Sequence, residues 1–272
     1  MINNEPVIGI LGGAGPDATI DLQRELSISM KDQLQAVSDQ EHLRVITDNF
    51  TNMPDRSYAL LNHGTSPLKH MVKSALNLEN LGCDMLLYPC NTAHAYLPEL
   101  RNKLSIPILD MIKETCDEIK QKTNPKKIGI LCTDVTRKFN LYKIVDTEII
   151  YPDKYLQAQV MQAIFSVKAG YTREKISSEK VIKSINRYLS GLNNFDPNLC
   201  DYSISPQEIF FRSIANLLDK GAESVIFGCT EIPLCFDLDE INAIEANIFN
   251  PTKILAGKAV RYAKSLTEEH SL

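Results

Sequence analysis

Two cysteines in this chain stand where a nucleophile or a proton carrier would be placed. Leu87-Tyr88-Pro89-Cys90-Asn91-Thr92-Ala93-His94 follows a short apolar run, Met85 to Tyr88, that reads as a buried strand. Pro89 ends the run and releases Cys90 into a small polar turn. The second stretch, Gly221 through Thr230-Glu231, echoes Gly82 through Thr92: a glycine ends a helix, a strand follows, and a cysteine lies eight positions after the glycine. A thiol at the mouth of a strand can give or take a proton near neutral pH, because an unperturbed pKa of about 8.5 leaves both forms within reach. A structural cysteine would occupy the same place. The polar residues after each thiol, Asn91-Thr92 and Thr230-Glu231, offer hydroxyl, amide and backbone N–H groups that a merely buried cysteine does not need. His94 reads equally as a group that tunes Cys90 or as a packing histidine.

The elements that must hold these residues repeat as well. Val7-Ile8-Gly9-Ile10-Leu11 is an apolar, β-branched strand leading into Gly12-Gly13-Ala14-Gly15-Pro16-Asp17-Ala18-Thr19, and Lys127-Ile128-Gly129-Ile130-Leu131-Cys132 restarts the pattern. The first turn, with Gly13 in it, is neither the dinucleotide pattern nor a phosphate loop. It still exposes bare N–H groups at a helix start, which suits an anion, a carboxylate included. Further strands are expected near 43–47 and 106–110. Helices are expected from the glycine turn to about 35, then over 66–81, 98–103 and 111–122, and from 253 to about 266. Strand and helix alternate in each half, which predicts an α/β fold of two pseudo-symmetric domains, each a parallel sheet flanked by helices, with functional residues beyond the carboxyl ends of the strands. The expected bounds are 1–111 plus 237–272 for the N-terminal domain and 112–236 for the C-terminal one, with the active site in the cleft between them. The second half carries about nineteen extra residues, and the Gly/Asn/Pro/Asp-rich stretch 186–206 reads as a long inserted loop.

Bulk properties exclude several classes. The 272 residues are 44% hydrophobic, enough for a packed core. A net charge of −5 argues against a nucleic-acid or anionic-membrane surface. No apolar run approaches the ~18 residues of a membrane span, and the N-terminus lacks the pattern of a secretory signal, so a cytoplasmic location is expected. Seven cysteines without a Cys-x-x-Cys pair do not form a disulfide framework. Cys90 and His94 could be two ligands of a metal, but Cys229 and Cys235 bring no partner histidine, so no metal is expected. Arg56, in Pro54-Asp55-Arg56, reads either as a surface arginine paired with Asp55 or as a bidentate clamp for a carboxylate.

Taken together these motifs resemble the aspartate/glutamate racemase family, and most closely its cofactor-independent aspartate racemase branch, over most of the chain. The glycine turn is similar to the family's opening turn, with Ala14 where methionine is common. Pro54-Asp55-Arg56 resembles its carboxylate-binding loop. Pro89-Cys90-Asn91-Thr92-Ala93-His94 and Gly228-Cys229-Thr230-Glu231-Ile232-Pro233-Leu234 resemble its two catalytic segments. Ile106-Pro107-Ile108-Leu109-Asp110 and Pro251-Thr252 also fit, and Phe165-Ser166-Val167-Lys168-Ala169-Gly170 resembles the segment with a substrate-binding lysine. Two departures stand out: Val135 replaces glycine in Thr133-Asp134-Val135-Thr136, and Asn250 stands where aspartate is usual.

The resemblance implies interconversion of L- and D-aspartate, or of glutamate, by proton transfer between two opposed cysteines, Cys90 and Cys229, without pyridoxal phosphate or another cofactor. Gly13, Arg56, Asn91, Thr92, Thr133, Lys168 and Thr230 would bind the small acidic substrate, His94 and Glu231 would tune the thiols, and the protein would be a homodimer. Two other readings keep the same residues: an isomerase or decarboxylase of a small dicarboxylic acid, and a non-catalytic amino-acid-binding homologue.

Overall fold

A computed structural model of the chain describes residues 5–193 and 195–269. Residues 1–4, 194 and 270–272, which fall inside the expected domain bounds and the expected inserted loop, lie outside the described residues. The chain divides into two compact units: Met1–Met53, Pro67–Thr115 and Pro251–Leu272 form one, and Pro54–Ser66 with Cys116–Asn250 form the other.

The first unit is built on the strands β1 (Ile8–Gly12), β2 (Val45–Asn49) and β3 (Met85–Leu87), in the order β2-β1-β3 and all parallel. Every residue of β1 and β3 is buried, as expected of parallel strands covered on both faces. The stretch expected as a strand at 106–110 contributes a single parallel bridge, Leu86 to Ile108, because Pro107 has no N–H to extend a ladder. Helix α1 (Pro16–Leu34) starts directly after the glycine turn, and the helix α11 (Pro251–Glu269) returns from the far end of the chain to cover it. Leu22, Leu26 and Met30 of α1 share one apolar cluster with Leu255, Ala256, Ala259, Val260 and Ala263 of α11 and with Ile8, Ile10, Met85 and Leu87 of the sheet. Helices α3 (Leu68–Asn80), α4 (Leu97–Arg101) and α5 (Met111–Lys122) complete this part of the chain order, with α2 (Arg56–Asn62) between β2 and α3.

The second unit repeats the plan with one strand more. Strands β4 (Lys127–Cys132), β5 (Glu148–Ile150), β6 (Ser224–Gly228) and β7 (Asn247–Phe249) are parallel in the order β5-β4-β6-β7. Its helices are α6 (Asp134–Lys138), α7 (Lys154–Lys168), α8 (Glu179–Ser190), α9 (Pro206–Asp219) and α10 (Leu238–Asn242). The repeat extends to the turns: Gly82 after α3 and Gly221 after α9 have φ of 82° and 86°, the left-handed stop that glycine accepts without a Cβ penalty, and the strand that bears each cysteine follows.

Four boundaries differ from the sequence reading, the first being residues 112–115, which fall in the first unit. Residues 237–250 fall in the second unit, because β7 pairs with β6. Residues 54–66, the arm that carries α2, also fall in the second unit, where Leu61 shares an apolar cluster with Ile185, Leu189 and Leu192. The inserted stretch 186–206 is not all loop: residues 186–190 are the last turns of α8, which buries Ile185 and Leu189, and a short 3-10 turn spans Pro197–Leu199. Among the described residues no helix is long and apolar enough to cross a membrane.

Candidate active site

At the carboxyl edge of the first sheet, β1 runs into the glycine turn. Gly13 has φ +87°, and a Cβ there would lie 2.4 Å from the Phe50 carbonyl carbon, so only glycine fits. Its N–H donates to the Thr19 hydroxyl at 3.1 Å, and that hydroxyl donates to the Gly15 carbonyl at 3.0 Å, which pins the turn to the first turns of α1. Two residues beyond β3, Pro89 leads to Cys90, which is buried with 8% of its surface exposed. The Cys90 carbonyl accepts from the Ala93 N–H at 3.2 Å, and the chain continues as a 3-10 helix, Thr92–Tyr96, with Asn91 at its start.

His94 braces this turn from behind. Its Nε2 accepts the Met111 N–H, at the start of α5, at 3.0 Å. Nδ1 therefore carries the proton, and it donates to the Cys90 carbonyl at 2.9 Å. Burial holds the ring below its ordinary pKa against the pull of Asp110 and of the Cys90 carbonyl. A neutral imidazole with both nitrogens spent on backbone groups positions the cysteine; it has no nitrogen left to act as a base.

The second sheet builds its cysteine turn on the same template with different chemistry. Cys132 and Gly228 are register partners on β4 and β6, so Thr133 and Cys229 leave neighbouring strand ends. The Cys229 carbonyl accepts from the Ile232 N–H at 3.2 Å, the counterpart of the Cys90 to Ala93 turn. The Cys229 thiol donates to Glu231 Oε2 at 3.0 Å, and the Thr230 hydroxyl reaches the same oxygen at 3.3 Å. The other oxygen, Oε1, is paired with the Lys168 ammonium at the end of α7. Glu231 is only 3% exposed. Burial opposes its charge, but Lys168, Cys229 and Thr230 outweigh that cost and keep its carboxyl below the usual range. Burial and then the Glu231 charge push the Cys229 thiol well above its ordinary value. Burial alone does not mark it out, since Cys83 is also raised to about 11 and Cys235 to about 12, with burial the foremost cause in each. The carboxylate in contact with the sulfur does.

Thr133 caps α6: its hydroxyl accepts from the Thr136 N–H at 3.3 Å and lies 3.2 Å from the Thr136 hydroxyl. Val135, at the place of the usual glycine, is buried in the cluster that holds Leu61 and Met161. Arg56 opens α2, whose cap is Asp55 accepting from the Tyr58 N–H at 2.7 Å. Of the sequence-derived candidates, Gly13, Cys90, Asn91, Thr92 and His94 therefore belong to the first unit, and Arg56, Thr133, Lys168, Cys229, Thr230 and Glu231 to the second. Direct contacts among them include the His94 bonds to the Cys90 and Asn91 carbonyls in the first unit and the chain Lys168–Glu231–Cys229, with Thr230 beside it, in the second. The ion pair takes one of the three donors of the Lys168 ammonium.

Sequence reasoning gives Glu231 only a tuning role and Asp55 only the role of a partner for Arg56, and it misses Tyr188, whose hydroxyl donates to Asp55 at 2.5 Å. The acidic residue two places after Cys229 is a signal for the first. No local signal exists for Tyr188. Among the described residues no three His, Cys, Asp or Glu side chains gather in a way that could hold a metal ion.

The family model for Asp/Glu/Hydantoin racemase matches residues 11–189. The Broad specificity amino-acid racemase RacX of Bacillus subtilis is 32% identical over 169 residues, which cover 60% of this chain and 71% of that protein. Among solved structures, the Picrophilus torridus aspartate racemase superposes with a TM-score of 0.72 at 22% identity, covering 95% of this chain and 94% of that one. The glutamate racemase of Francisella tularensis, in complex with D-glutamate, does so with a TM-score of 0.57 at 17% identity, covering 99% and 83%. These likenesses carry the α/β fold with its two parallel sheets. The match over most of the chain's length places it in a group of racemases: this chain belongs to the Asp/Glu/Hydantoin racemase family.

Proposed function

We propose that the protein is a cofactor-independent amino-acid racemase that interconverts L- and D-aspartate, with glutamate as a second substrate. The observation that carries this reading is the pair of cysteines at matching strand ends of the two repeated sheets, each opening a turn closed by the N–H three residues on. Racemising an α-carbon requires removal of a proton from one face and delivery to the other, and two thiols that exchange roles do both without turning the substrate over. One must start protonated. Cys229, donating to a buried carboxylate, is that one. When the reaction runs the other way, the Cys229 thiol passes its proton to Glu231, leaving a thiolate and a neutral carboxyl, and the Lys168 ammonium beside Glu231 then balances the thiolate charge.

The carbanion formed at the α-carbon spreads its charge onto the substrate carboxylate. Backbone N–H groups of the glycine turn that follow Gly13, whose own N–H is spent on Thr19, are its proposed donors together with Asn91, Thr92, Thr133 and Thr230. Arg56 and Lys168 are assigned to the side-chain carboxylate of the substrate, the group that selects an acidic amino acid. A second reading, a broader substrate range, is favoured by the Lys168–Glu231 ion pair, since a lysine already answered by a carboxylate asks less of the substrate.

The test is proton NMR of the α-position in deuterated water, with L-aspartate, L-glutamate and a panel of neutral amino acids. Loss of the aspartate α-proton signal with appearance of the D-enantiomer is expected. Equal exchange across the panel would select the broad reading. No exchange of any amino acid would sink both, and turnover of a dicarboxylic acid without an amino group would then point to the isomerase or decarboxylase alternative.

A further inference from the structure

The second half of the chain carries one helix that the first half lacks. Between β2 and β3 lie two helices, α2 and α3; between β5 and β6 lie three, α7, α8 and α9. The extra one, α8, reaches two places that matter for the cationic groups assigned above to the substrate's side-chain carboxylate.

The first place is the arm that carries Arg56. The Tyr188 hydroxyl, near the end of α8, donates to Asp55 Oδ1 at 2.5 Å. The same oxygen caps α2 through the Tyr58 N–H, and Arg56 is the residue next to Asp55. At the other end of α2, Asn62 Nδ2 donates to the Gly191 carbonyl at 2.5 Å, and the Asn193 N–H donates to Asn62 Oδ1 at 3.3 Å. Between these two ties Leu61 packs into the cluster of Ile185, Leu189 and Leu192. Helix α2 is seven residues long, far below the ~12–15 that hold together alone in water, so its position is set by what grips it.

The second place is α7. The Tyr188 ring lies on the Phe165 ring with centroids 4.2 Å apart. Phe165 is three residues before Lys168, one turn back along the same side of α7. Tyr188 therefore touches the arm of one cationic residue with its hydroxyl and the helix of the other with its ring. Burial and the Asp55 charge raise the phenol far above its ordinary pKa, so it remains a donor over the whole working range.

We infer that Tyr188, presented by the inserted helix α8, is a positioning residue that sets the spacing of Arg56 and Lys168 and so determines selectivity for an acidic side chain. A guanidinium and an ammonium on long side chains bind a small carboxylate well only where their backbones are fixed, and a misplacement of about 1 Å is enough to lose much of the effect. The inference rests on the racemase reading and its assignment of those two residues.

The test is steady-state racemisation of L-aspartate by the full chain, with Tyr188→Phe and, at the far end of α2, Asn62→Ala. Tyr188→Phe keeps the ring on Phe165 and removes only the hydroxyl. Its KM for aspartate should rise about tenfold, the loss expected for one hydrogen bond to a charged group, with kcat within about threefold of the parent. Asn62→Ala should move KM in the same direction. A purely structural role would lower the melting temperature without splitting KM from kcat. A folded Tyr188→Phe variant with unchanged KM, or with kcat and KM altered alike, overturns the inference while the racemase reading stands. A parent protein that exchanges no amino acid overturns the racemase reading and this inference with it.

Discussion

Two places after Cys90 the chain has Thr92; two places after Cys229 it has Glu231. Both cysteines leave parallel strands of repeated sheets, both are more than nine-tenths buried, and both carbonyls accept the N–H three residues on. Beyond that shared frame the turns are stabilised by different means. The Cys90 turn is held by a neutral histidine whose two nitrogens grip the Cys90 carbonyl and the start of α5. The Cys229 turn is held by an ion pair between the half-buried Lys168 and the buried Glu231, whose carboxylate reaches the sulfur itself. A bracket made of neutral groups fixes geometry without bringing a charge to the turn. A bracket made of a carboxylate fixes geometry and decides which way the proton sits. The repeated backbone keeps the two cysteines at matching positions, and the follower residues surround them with different chemistry.

Among substitutions that leave both cysteines in place, the largest effect should come from removing the charge that separates the two turns. In Glu231→Gln racemisation should fall about tenfold or more, as when a positioned proton acceptor is lost. Because the Glu231 charge raises the Cys229 pKa, the same substitution should lower it. Alkylation of Cys229 by iodoacetamide, followed by peptide mass spectrometry, should then become faster at fixed pH and its profile should move to lower pH. Slower alkylation would break the comparison.

The glycine turn and its counterpart offer the next contrast. Gly13 has φ +87° and no room for a Cβ, whereas Thr133, at the matching place after β4, has φ −69° and caps α6. Gly13→Ala should cost about 2 kcal/mol or more in urea unfolding, since left-handed strain alone is ~1–2 kcal/mol and the clash with Phe50 adds to it. Thr133→Gly, which keeps an acceptable cap residue, should cost only a few tenths, roughly 0.3 kcal/mol. Equal costs would show that the two turns are not built as described.

An effect smaller than that of Gly13→Ala concerns His94. Its folded form is neutral, held below the ordinary 6.5 by burial. As pH falls through about 6.5 the unfolded chain binds a proton that the folded chain resists, so stability should decline from that point downward. His94→Asn should lose about 1–2 kcal/mol at pH 8, where the two backbone hydrogen bonds are at stake, and should flatten the decline of the melting temperature between pH 6.5 and 5. A steeper decline in the variant would contradict the neutral bracket.

Much of this frame was legible in the sequence, because it rests on local patterns. The glycine, strand and cysteine spacing announced the repeat, and Gly82 and Gly221 take the left-handed φ that such helix stops require. The cysteines and their polar followers could be picked out for the same reason. What could not be read depends on partners distant in sequence. The Tyr188 bond to Asp55 spans 133 positions and the His94 bond to Met111 spans 17. The apolar run at 106–110 predicts a full strand because it hides the consequence of Pro107, and only the Leu86–Ile108 bridge forms. Residues 237–250 were assigned to the other unit because β7 is three residues long and its pairing with β6 has no local mark. Nothing near Lys168 in sequence announces its partner Glu231, 63 positions on.

The central claim, that Cys90 and Cys229 are separate proton carriers for opposite faces of one α-carbon, is tested most directly by α-proton exchange in deuterated water with Cys90→Ser and Cys229→Ser, each given L-aspartate and D-aspartate in turn. Racemisation should fall by about 10²–10⁴ in both variants, while each retains exchange of one enantiomer's α-proton, the two variants retaining opposite enantiomers. Racemisation at the parent rate by either variant, or exchange of the same enantiomer by both, would contradict it.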